Sequence, residues 1–134
     1  LMKALSLTQP WATLVVTGAK SIETRSWSTR YRGTLYIHAA KGFPAYAKDY
    51  ARKVYGNPAV LPYLPLGAIV GRAYLLDVVH VEDLLALSIQ EAKYGDYSPG
   101  RFAWILSNIE QFEPIPWKGA LGLFEVTLPP AGGS

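Results

Sequence analysis

The segment that most constrains the fold is residues 67–81, a run rich in valine, leucine and alanine that contains only two charged residues. This composition and length predict a strand, the longest in the chain. Gly71 lies inside the run, and a glycine in a strand interior predicts a bend there. The fold is therefore expected to be built around strands.

Shorter β patterns surround this strand. In residues 33–40, Leu35, Ile37 and Ala39 point to one face, while Tyr36 and His38 point to the other. Further strands are predicted at 3–7, 21–25, 101–106 and 121–128, and helices at 10–17, 44–54 and within 82–93. A proline-rich loop is predicted at 57–66 and a turn at 114–116. Strands interrupted by a few helices predict the α+β class, with a closed β-barrel and helical insertions. A regular βαβ repeat fits this order poorly.

Length and composition indicate one domain. The chain has 134 residues and half of them are hydrophobic, so residues 1–128 are expected to fold together. The tail at 129–134, rich in proline and glycine, is predicted to be disordered.

Several functional classes are disfavoured by the composition. The chain contains no cysteine, which excludes a disulfide framework, a cysteine zinc site and a thiol nucleophile. Its two histidines are far apart in the sequence, so no metal and no cofactor are expected. No apolar run is long enough to span a bilayer, and the first residues lack the features of a signal peptide. We therefore expect a cytoplasmic location and no membrane partner.

Charge is distributed unevenly. Residues 20–53 hold eight of the thirteen basic residues and only two acids, whereas the rest of the chain has five basic and eight acidic residues. This asymmetry favours an anionic partner on one side of the molecule. A helix face solvated by charged residues is the alternative explanation.

A motif in the first quarter of the chain resembles a known family. Gly18, Lys20, Glu23 and Arg25 follow the pattern Gly-x-Lys-x-x-Glu-x-Arg of the ASCH domain. The flanking Gln-Pro-Trp at 9–11 and Arg-Gly at 32–33, and the downstream segments 67–71 and 102–104, are similar to the same family. The resemblance covers nearly the whole chain. It implies a PUA-like β-barrel and a role in binding RNA.

A shorter, related branch resembles amidohydrolases of acetylated cytidine, in which a lysine works with a threonine three residues later and a distant glutamate. Here the residue three after Lys20 is Glu23, and Thr24 is one position further. This departure disfavours the amidohydrolase function. Lys20 and Glu23 can still form an acid–base pair.

Strand periodicity gives the motif a physical interpretation. If 21–25 is a strand, Glu23 and Arg25 share one face, and Ile22 faces the core. Gly18 permits a left-handed turn that aims Lys20 at the same groove. An arginine can bind a phosphate or a base edge through two hydrogen bonds, a lysine adds a point charge, and a carboxylate can accept from a base amine. An inert ion-pair network is the alternative, and the resemblance favours a site.

The remaining candidate ligand-binding residues lie nearby in sequence. Aromatic rings can stack on bases, and arginines and lysines can contact phosphates. The candidates are Trp27, Arg30, Tyr31, Arg32, His38 and Lys41. Trp27 and Tyr31 can equally be packing residues, Arg30 and Arg32 can belong to a solvated turn, and His38 can be structural. Trp11 and Trp104 are predicted to pack in the core.

Three functions are compatible with these residues. The first is binding of RNA or a nucleotide in a cleft based on Lys20, Glu23 and Arg25. The second is an enzyme, a hydrolase of RNA or of a modified nucleoside, with Lys20 and Glu23 as catalytic residues. The third is a protein-interaction adaptor, which a dry ion-paired cluster without an open groove would favour.

Overall fold

The structure is a computed structural model that describes residues 2–84 and 87–128. Within these residues, six strands and three α-helices follow one another, and the α+β class is confirmed. The strands are β1 Met2–Leu7, β2 Ile22–Arg25, β3 Gly33–Ala39, β4 Ala68–His80, β5 Phe102–Pro116 and β6 Leu123–Val126. The helices are α1 Trp11–Val16, α2 Ala45–Tyr55 and α3 Ile89–Lys93. The tail at 129–134, predicted to be disordered, lies outside the described residues.

The strands form one sheet in the order β2-β5-β4-β3-β1-β6. Every neighbouring pair is antiparallel except β1 and β3, which are parallel and connected through α1 and β2. The sheet is open rather than closed into the predicted barrel: among the described residues, β2 and β6 are its two edges. Both edge strands have only four residues, which leaves a short hydrogen-bonding edge on each side.

Register shifts bend the sheet. Strand β4 changes register against β5 at three places, between Ile69 and Gly71, between Arg72 and Tyr74, and between Leu75 and Asp77. Bulges of this kind increase twist and curvature. The main core consists of residues from β1, β3, β4, β5 and α1, and Trp104 is fully buried in it, as predicted.

Gly71 lies where α1 packs against β4. A Cβ atom built on Gly71 would lie 2.6 Å from Cγ1 of Val16 and would overlap the backbone oxygen of Glu110. The glycine predicted to bend the strand therefore also gives α1 space to pack against β4. This packing fixes α1, whose first residue is Trp11.

Two local predictions were wrong. The predicted turn at 114–116 is the end of β5, which continues as one strand to Pro116. Beyond Leu106 this strand pairs with β4 but no longer with β2. A proline there, which has no N–H to donate, can turn its nitrogen to the unpaired side without loss of a hydrogen bond between strands. The predicted loop at 57–66 contains a 3-10 helix, Pro58–Tyr63, which is capped by the side chain of Asn57.

Candidate functional site

The turn after α1 directs Lys20 into the protein. Gly18 has a φ of 83°, a left-handed conformation that glycine adopts without strain. Its N–H donates to the oxygen of Val15, and the N–H of Lys20 donates to the oxygen of Leu14. These two bonds satisfy carbonyls at the end of the helix and reverse the chain. Lys20 thus begins the segment that leads into β2.

Lys20 is completely buried rather than exposed in a groove. Its solvent-exposed fraction is 0%. Its ammonium donates to the oxygen of Ile22 and lies 3.6 Å from Oε1 of Glu23. Burial lowers the pKa of Lys20, and the opposing attraction of Glu23 and Glu91 does not fully compensate.

Glu23 and Arg25 form the accessible part of the motif. Atom NH1 of Arg25 lies 3.3 Å from Oε2 of Glu23, so the carboxylate contacts a different cation through each oxygen. Glu23 is only 8% exposed, and Arg25 reaches outward with its guanidinium 5.6 Å from the ring centre of Trp27. This arrangement is an ion-pair network, with Glu23 held between two cations.

The network opens onto a cleft of about 490 Å³. Glu23, Thr24 and Arg25 form one wall. Thr8 and three aromatic residues of α1 and α2 form another, namely Trp11, Tyr46 and Tyr50. The rings of Trp11 and Tyr50 are stacked, 4.9 Å apart and 15° from parallel, and Tyr46 lies 6.4 Å from Trp11. The volume is in the range of small-molecule sites.

The third wall comes from a distant part of the chain. It consists of Lys93, Tyr94, Gly95, Asp96 and Arg101. Arg101 donates to the backbone oxygens of Asp96 and Thr24, which connects this wall to β2. The hydroxyl of Tyr50 donates to the oxygen of Lys93 at 2.5 Å and connects it to α2. The cleft therefore forms only when three separate regions of the chain meet.

Helix α3 is attached to the motif by polar contacts. Oε2 of Glu91 accepts hydrogen bonds from the backbone N–H of Ser21 at 2.7 Å and from its hydroxyl at 2.8 Å. The side chain of Gln90 donates to the oxygen of Ala19. These bonds secure the chain that follows α3, where Gly95 lies directly against the ammonium of Lys20: a Cβ built on Gly95 would be 3.4 Å from Nζ.

Two buried polar atoms in the described part of the chain have no hydrogen-bond partner, and both belong to this region. They are Oε1 of Glu91 and the hydroxyl of Tyr97. Burial, together with the negative charges of Glu91 and Glu23, raises the pKa of Tyr97. Lys20, Glu23, Glu91 and Tyr97 thus form a polar cluster behind the cleft, and we call it the Lys20 cluster.

Removing the carboxylate of Glu91 is expected to expose Lys20. In the wild-type protein an amine-reactive reagent should modify Lys20 much more slowly than the exposed Lys48. Glu91→Ala removes two hydrogen bonds, each worth about 1 kcal/mol, so the rate at Lys20 should rise roughly tenfold or more. Peptide mapping by mass spectrometry measures both rates, and Lys48 serves as the internal control. Equal rates at Lys20 and Lys48 in the wild type would contradict the enclosure.

The structure places Trp27 and Tyr31 against the hydrophobic core, outside the walls of the cleft. Trp27 packs edge-on against Trp104 with ring centres 4.9 Å apart, and its backbone oxygen accepts from the indole of Trp104. Tyr31 is partly buried, and its hydroxyl donates to the oxygen of Thr34. Of the two functions considered for these residues, packing is the one seen here.

The basic candidates outside the motif do not converge on the cleft. Arg32 donates to the oxygens of Thr29 and Tyr31 and pairs with Asp77 at 3.2 Å. Arg30 is exposed in the loop before β3, and Lys41 is exposed after that strand. Arg25 is the one cation that the basic segment at 20–53 contributes to the lining, while Lys93 and Arg101 come from the more acidic remainder of the chain.

His38 lies elsewhere, buried between β1 and the chain that precedes β6. Its Nε2 is 2.7 Å from the oxygen of Trp117, a group that only accepts, so Nε2 must donate. In the neutral ring Nδ1 then accepts from the hydroxyl of Ser6, 2.9 Å away. Both ring nitrogens are occupied and the side chain is 1% exposed, so His38 has the structural role considered for it and does not line the cleft.

Sequence reasoning missed most of the aromatic wall. Trp11 was predicted to be core, yet it is half-buried and faces the cleft. Tyr46 and Tyr50 lie within the helix predicted at 44–54 but were not candidates for the site; only Ala47 and Ala51 of that helix are fully buried, and Tyr46 is 66% exposed. The i, i+4 spacing of two tyrosines on a short helix was the available signal.

Comparison with known proteins identifies the family. The ASCH domain model matches residues 5–116, more than four-fifths of the chain. The chain belongs to the ASCH domain family. The family prediction is confirmed, and the matched residues include β2, which forms one wall of the cleft.

Solved ASCH structures share this fold. The ASCH protein of Zymomonas mobilis superposes with a TM-score of 0.58 over 94% of this chain and 87% of its own, at 16% sequence identity. A single-residue variant of that protein gives the same TM-score and covers 90% of its own chain. At this identity the likeness concerns the fold.

Sequence relatives match a shorter stretch. Activating signal cointegrator 1 of Homo sapiens is 51% identical over 41 residues, and the Mus musculus protein matches to the same extent. The stretch covers 31% of this chain and 7% of either relative.

Two further features concern membranes and metals. Within residues 2–84 and 87–128, no helix has the length and hydrophobicity required to traverse a bilayer. The same residues contain no grouping of three or more histidines, cysteines or carboxylates placed to hold a metal ion.

Proposed function

We propose that this ASCH domain binds single-stranded RNA, or a nucleotide, in the cleft between β2, α2 and the segment after α3. The observation that carries the proposal is the composition of the cleft, in which the cations of Arg25, Lys93 and Arg101 border a wall containing Trp11 and Tyr46. Cations contact phosphates, and aromatic rings stack on unpaired bases. RNA binding is also the role commonly attributed to the family, and a cytoplasmic location is part of the same proposal.

Trp11→Ala tests the aromatic wall. Loss of one stacked base costs about 1–3 kcal/mol, so the affinity for a short single-stranded oligonucleotide should fall roughly 5-fold to 100-fold. Fluorescence anisotropy with a labelled oligonucleotide at two salt concentrations measures this change, and binding should weaken steeply at the higher salt. Tyr63→Ala is the matched control, because Tyr63 is 85% exposed and lies outside the cleft lining.

Two results would exclude the proposal. The first is no binding at low salt by a protein that unfolds cooperatively. The second is an unchanged affinity in a folded Trp11→Ala variant. A duplex of the same sequence should bind more weakly than the single strand, since its bases are not available for stacking.

The hydrolase function receives less support from the geometry. Lys20 and Glu23 are close enough to exchange a proton through a small adjustment, and the lowered pKa of Lys20 suits a base. However, Lys20 has no exposed surface and is not among the residues that line the cleft, whereas Gly95, which packs near its ammonium, is. A ligand in the cleft reaches Glu23 and Arg25 without contacting Lys20.

The adaptor function is also less well supported. A dry ion-paired cluster without an open groove would have favoured it. The ion pairs are present, but they lie beside a cleft of about 490 Å³ whose walls carry both cations and exposed aromatic surface. An open cleft with this lining supports a ligand of nucleotide size.

A further inference from the structure

The depth at which each polar group lies in the cleft is informative about the ligand. Glu23 is buried, Arg25 and Arg101 are half-buried, and Lys93 is exposed. The carboxylate is therefore at the bottom and the cations are nearer the rim. If a nucleotide binds here, as proposed above, its phosphate belongs at the rim and its base enters beside the aromatic wall. The edge of the base then meets Glu23.

The carboxylate of Glu23 is held in a defined orientation. Its Oε1 lies 3.6 Å from the ammonium of Lys20, and its Oε2 lies 3.3 Å from NH1 of Arg25. Each carboxylate oxygen has two lone pairs, so one contact per oxygen leaves capacity for one more hydrogen bond on each. An ionised carboxylate accepts hydrogen bonds and donates none. Glu23 also lines the cleft, so the acceptor group at its bottom is a carboxylate with this remaining capacity.

The four bases differ in what they offer to two adjacent acceptors. The Watson–Crick edge of guanine carries two neighbouring donors, N1–H and the N2 amine. Cytosine and adenine each offer one amine beside a ring nitrogen that accepts. Uracil offers one N3–H between two carbonyl oxygens, which a carboxylate repels.

We propose that Glu23 makes the cleft selective for guanine, through paired hydrogen bonds from N1–H and the N2 amine to the two carboxylate oxygens. This selectivity rests on the proposed function. It assigns Glu23 to base recognition, Trp11 and Tyr46 to stacking, and Arg25, Lys93 and Arg101 to the phosphate.

The test uses four nucleoside 5′-monophosphates that share one sugar and one phosphate. Isothermal titration calorimetry on the wild-type domain should give GMP the highest affinity and UMP the lowest, at least about tenfold apart, as for one good bidentate contact. IMP lacks the N2 amine and should bind several-fold more weakly than GMP. 7-Deaza-GMP keeps both donors and should bind like GMP.

Glu23→Gln tests the residue itself. An amide presents one donor and one acceptor, so the advantage of GMP over AMP and CMP should largely disappear. Glu125→Gln is the matched control, since Glu125 is an exposed carboxylate that pairs with Lys3 and lies on β6, at the opposite edge of the sheet from Glu23. If Glu23→Gln does not fold, the comparison of GMP, IMP and 7-deaza-GMP on the wild type still decides the question.

The outcomes separate the two proposals. If no monophosphate binds and RNA does not bind either, the proposed function fails. If all four monophosphates bind with equal affinity, or UMP binds best, binding in the cleft stands and the selectivity is wrong. If IMP binds as tightly as GMP, the paired contact to the carboxylate is wrong.

Discussion

Replacing Lys20 by alanine is expected to lower the free energy of unfolding by about 3 kcal/mol, the scale of a broken buried ion pair. The substitution removes the cation that contacts Glu23 and faces Glu91, so two carboxylates in the Lys20 cluster lose a compensating charge. Urea denaturation of both proteins measures the loss. Lys20→Met is the companion variant, because it keeps most of the side-chain volume and removes the charge together with the hydrogen bond to the oxygen of Ile22.

The difference in free energy of unfolding between the wild type and Lys20→Met should change with pH in a direction that the pKa of Lys20 determines. Burial lowers the pKa of Lys20 below its usual 10.5, so between the folded and the unfolded pKa the unfolded chain binds more protons. Wild-type stability relative to Lys20→Met should therefore rise as the pH increases toward 10.5. The raised pKa of Tyr97 acts in the opposite direction but is present in both proteins, and the difference removes it. A wild type that loses stability relative to the variant above pH 10.5 would show that ion pairing outweighs burial.

Gly71→Ala should be comparably destabilising, by about 3 kcal/mol. Its new methyl group would lie 2.6 Å from Cγ1 of Val16 and would overlap the backbone oxygen of Glu110, and neither neighbour is free to move. Val16 is 3% exposed on α1, and Glu110 belongs to the strand that pairs with β4. Displacement of α1 would also move Trp11, so affinity for an oligonucleotide should fall together with the melting temperature.

Gly42→Ala is the matched control for this prediction. A Cβ on Gly42 meets nothing within 4 Å, and its backbone does not need a positive φ. The change should be neutral or slightly stabilising, by a few tenths of a kcal/mol. Two glycine substitutions of identical chemistry would then differ by about 3 kcal/mol. Similar melting temperatures for the two variants would show that α1 and β4 can move apart enough to accept the methyl group.

Local pattern was sufficient for most of the secondary structure. The strand predicted at 33–40 is β3 at Gly33–Ala39, and the helix predicted at 44–54 is α2 at Ala45–Tyr55. Alternation and helical periodicity depend on neighbouring residues, so they are readable without the fold. The turn at Gly18 could also be predicted from the sequence, because a helix end in the left-handed conformation strongly favours glycine.

Long-range pairing decided where local pattern failed. Two prolines in three residues predict a turn, yet Pro114 and Pro116 lie in β5, since that part of the strand pairs with β4 alone. A β-rich pattern predicts a closed barrel equally well as an open, curved sheet. Closure depends on whether two edge strands meet, and β2 and β6 are at opposite ends of the strand order.

The candidate site also has a part that could be predicted from the sequence and a part that depends on the fold. The sequence by itself determined the family, because the resemblance runs over nearly the whole chain. It also determined the turn at Gly18 and the shared face of Glu23 and Arg25, because both depend only on residues close together in the chain. Only the tertiary structure decided that Lys20 is enclosed and that Trp11, Tyr46 and Arg101 complete the cleft. Those residues are brought together by packing between α1, α2 and the segment after α3, and no local pattern encodes contacts made across such distances in the chain.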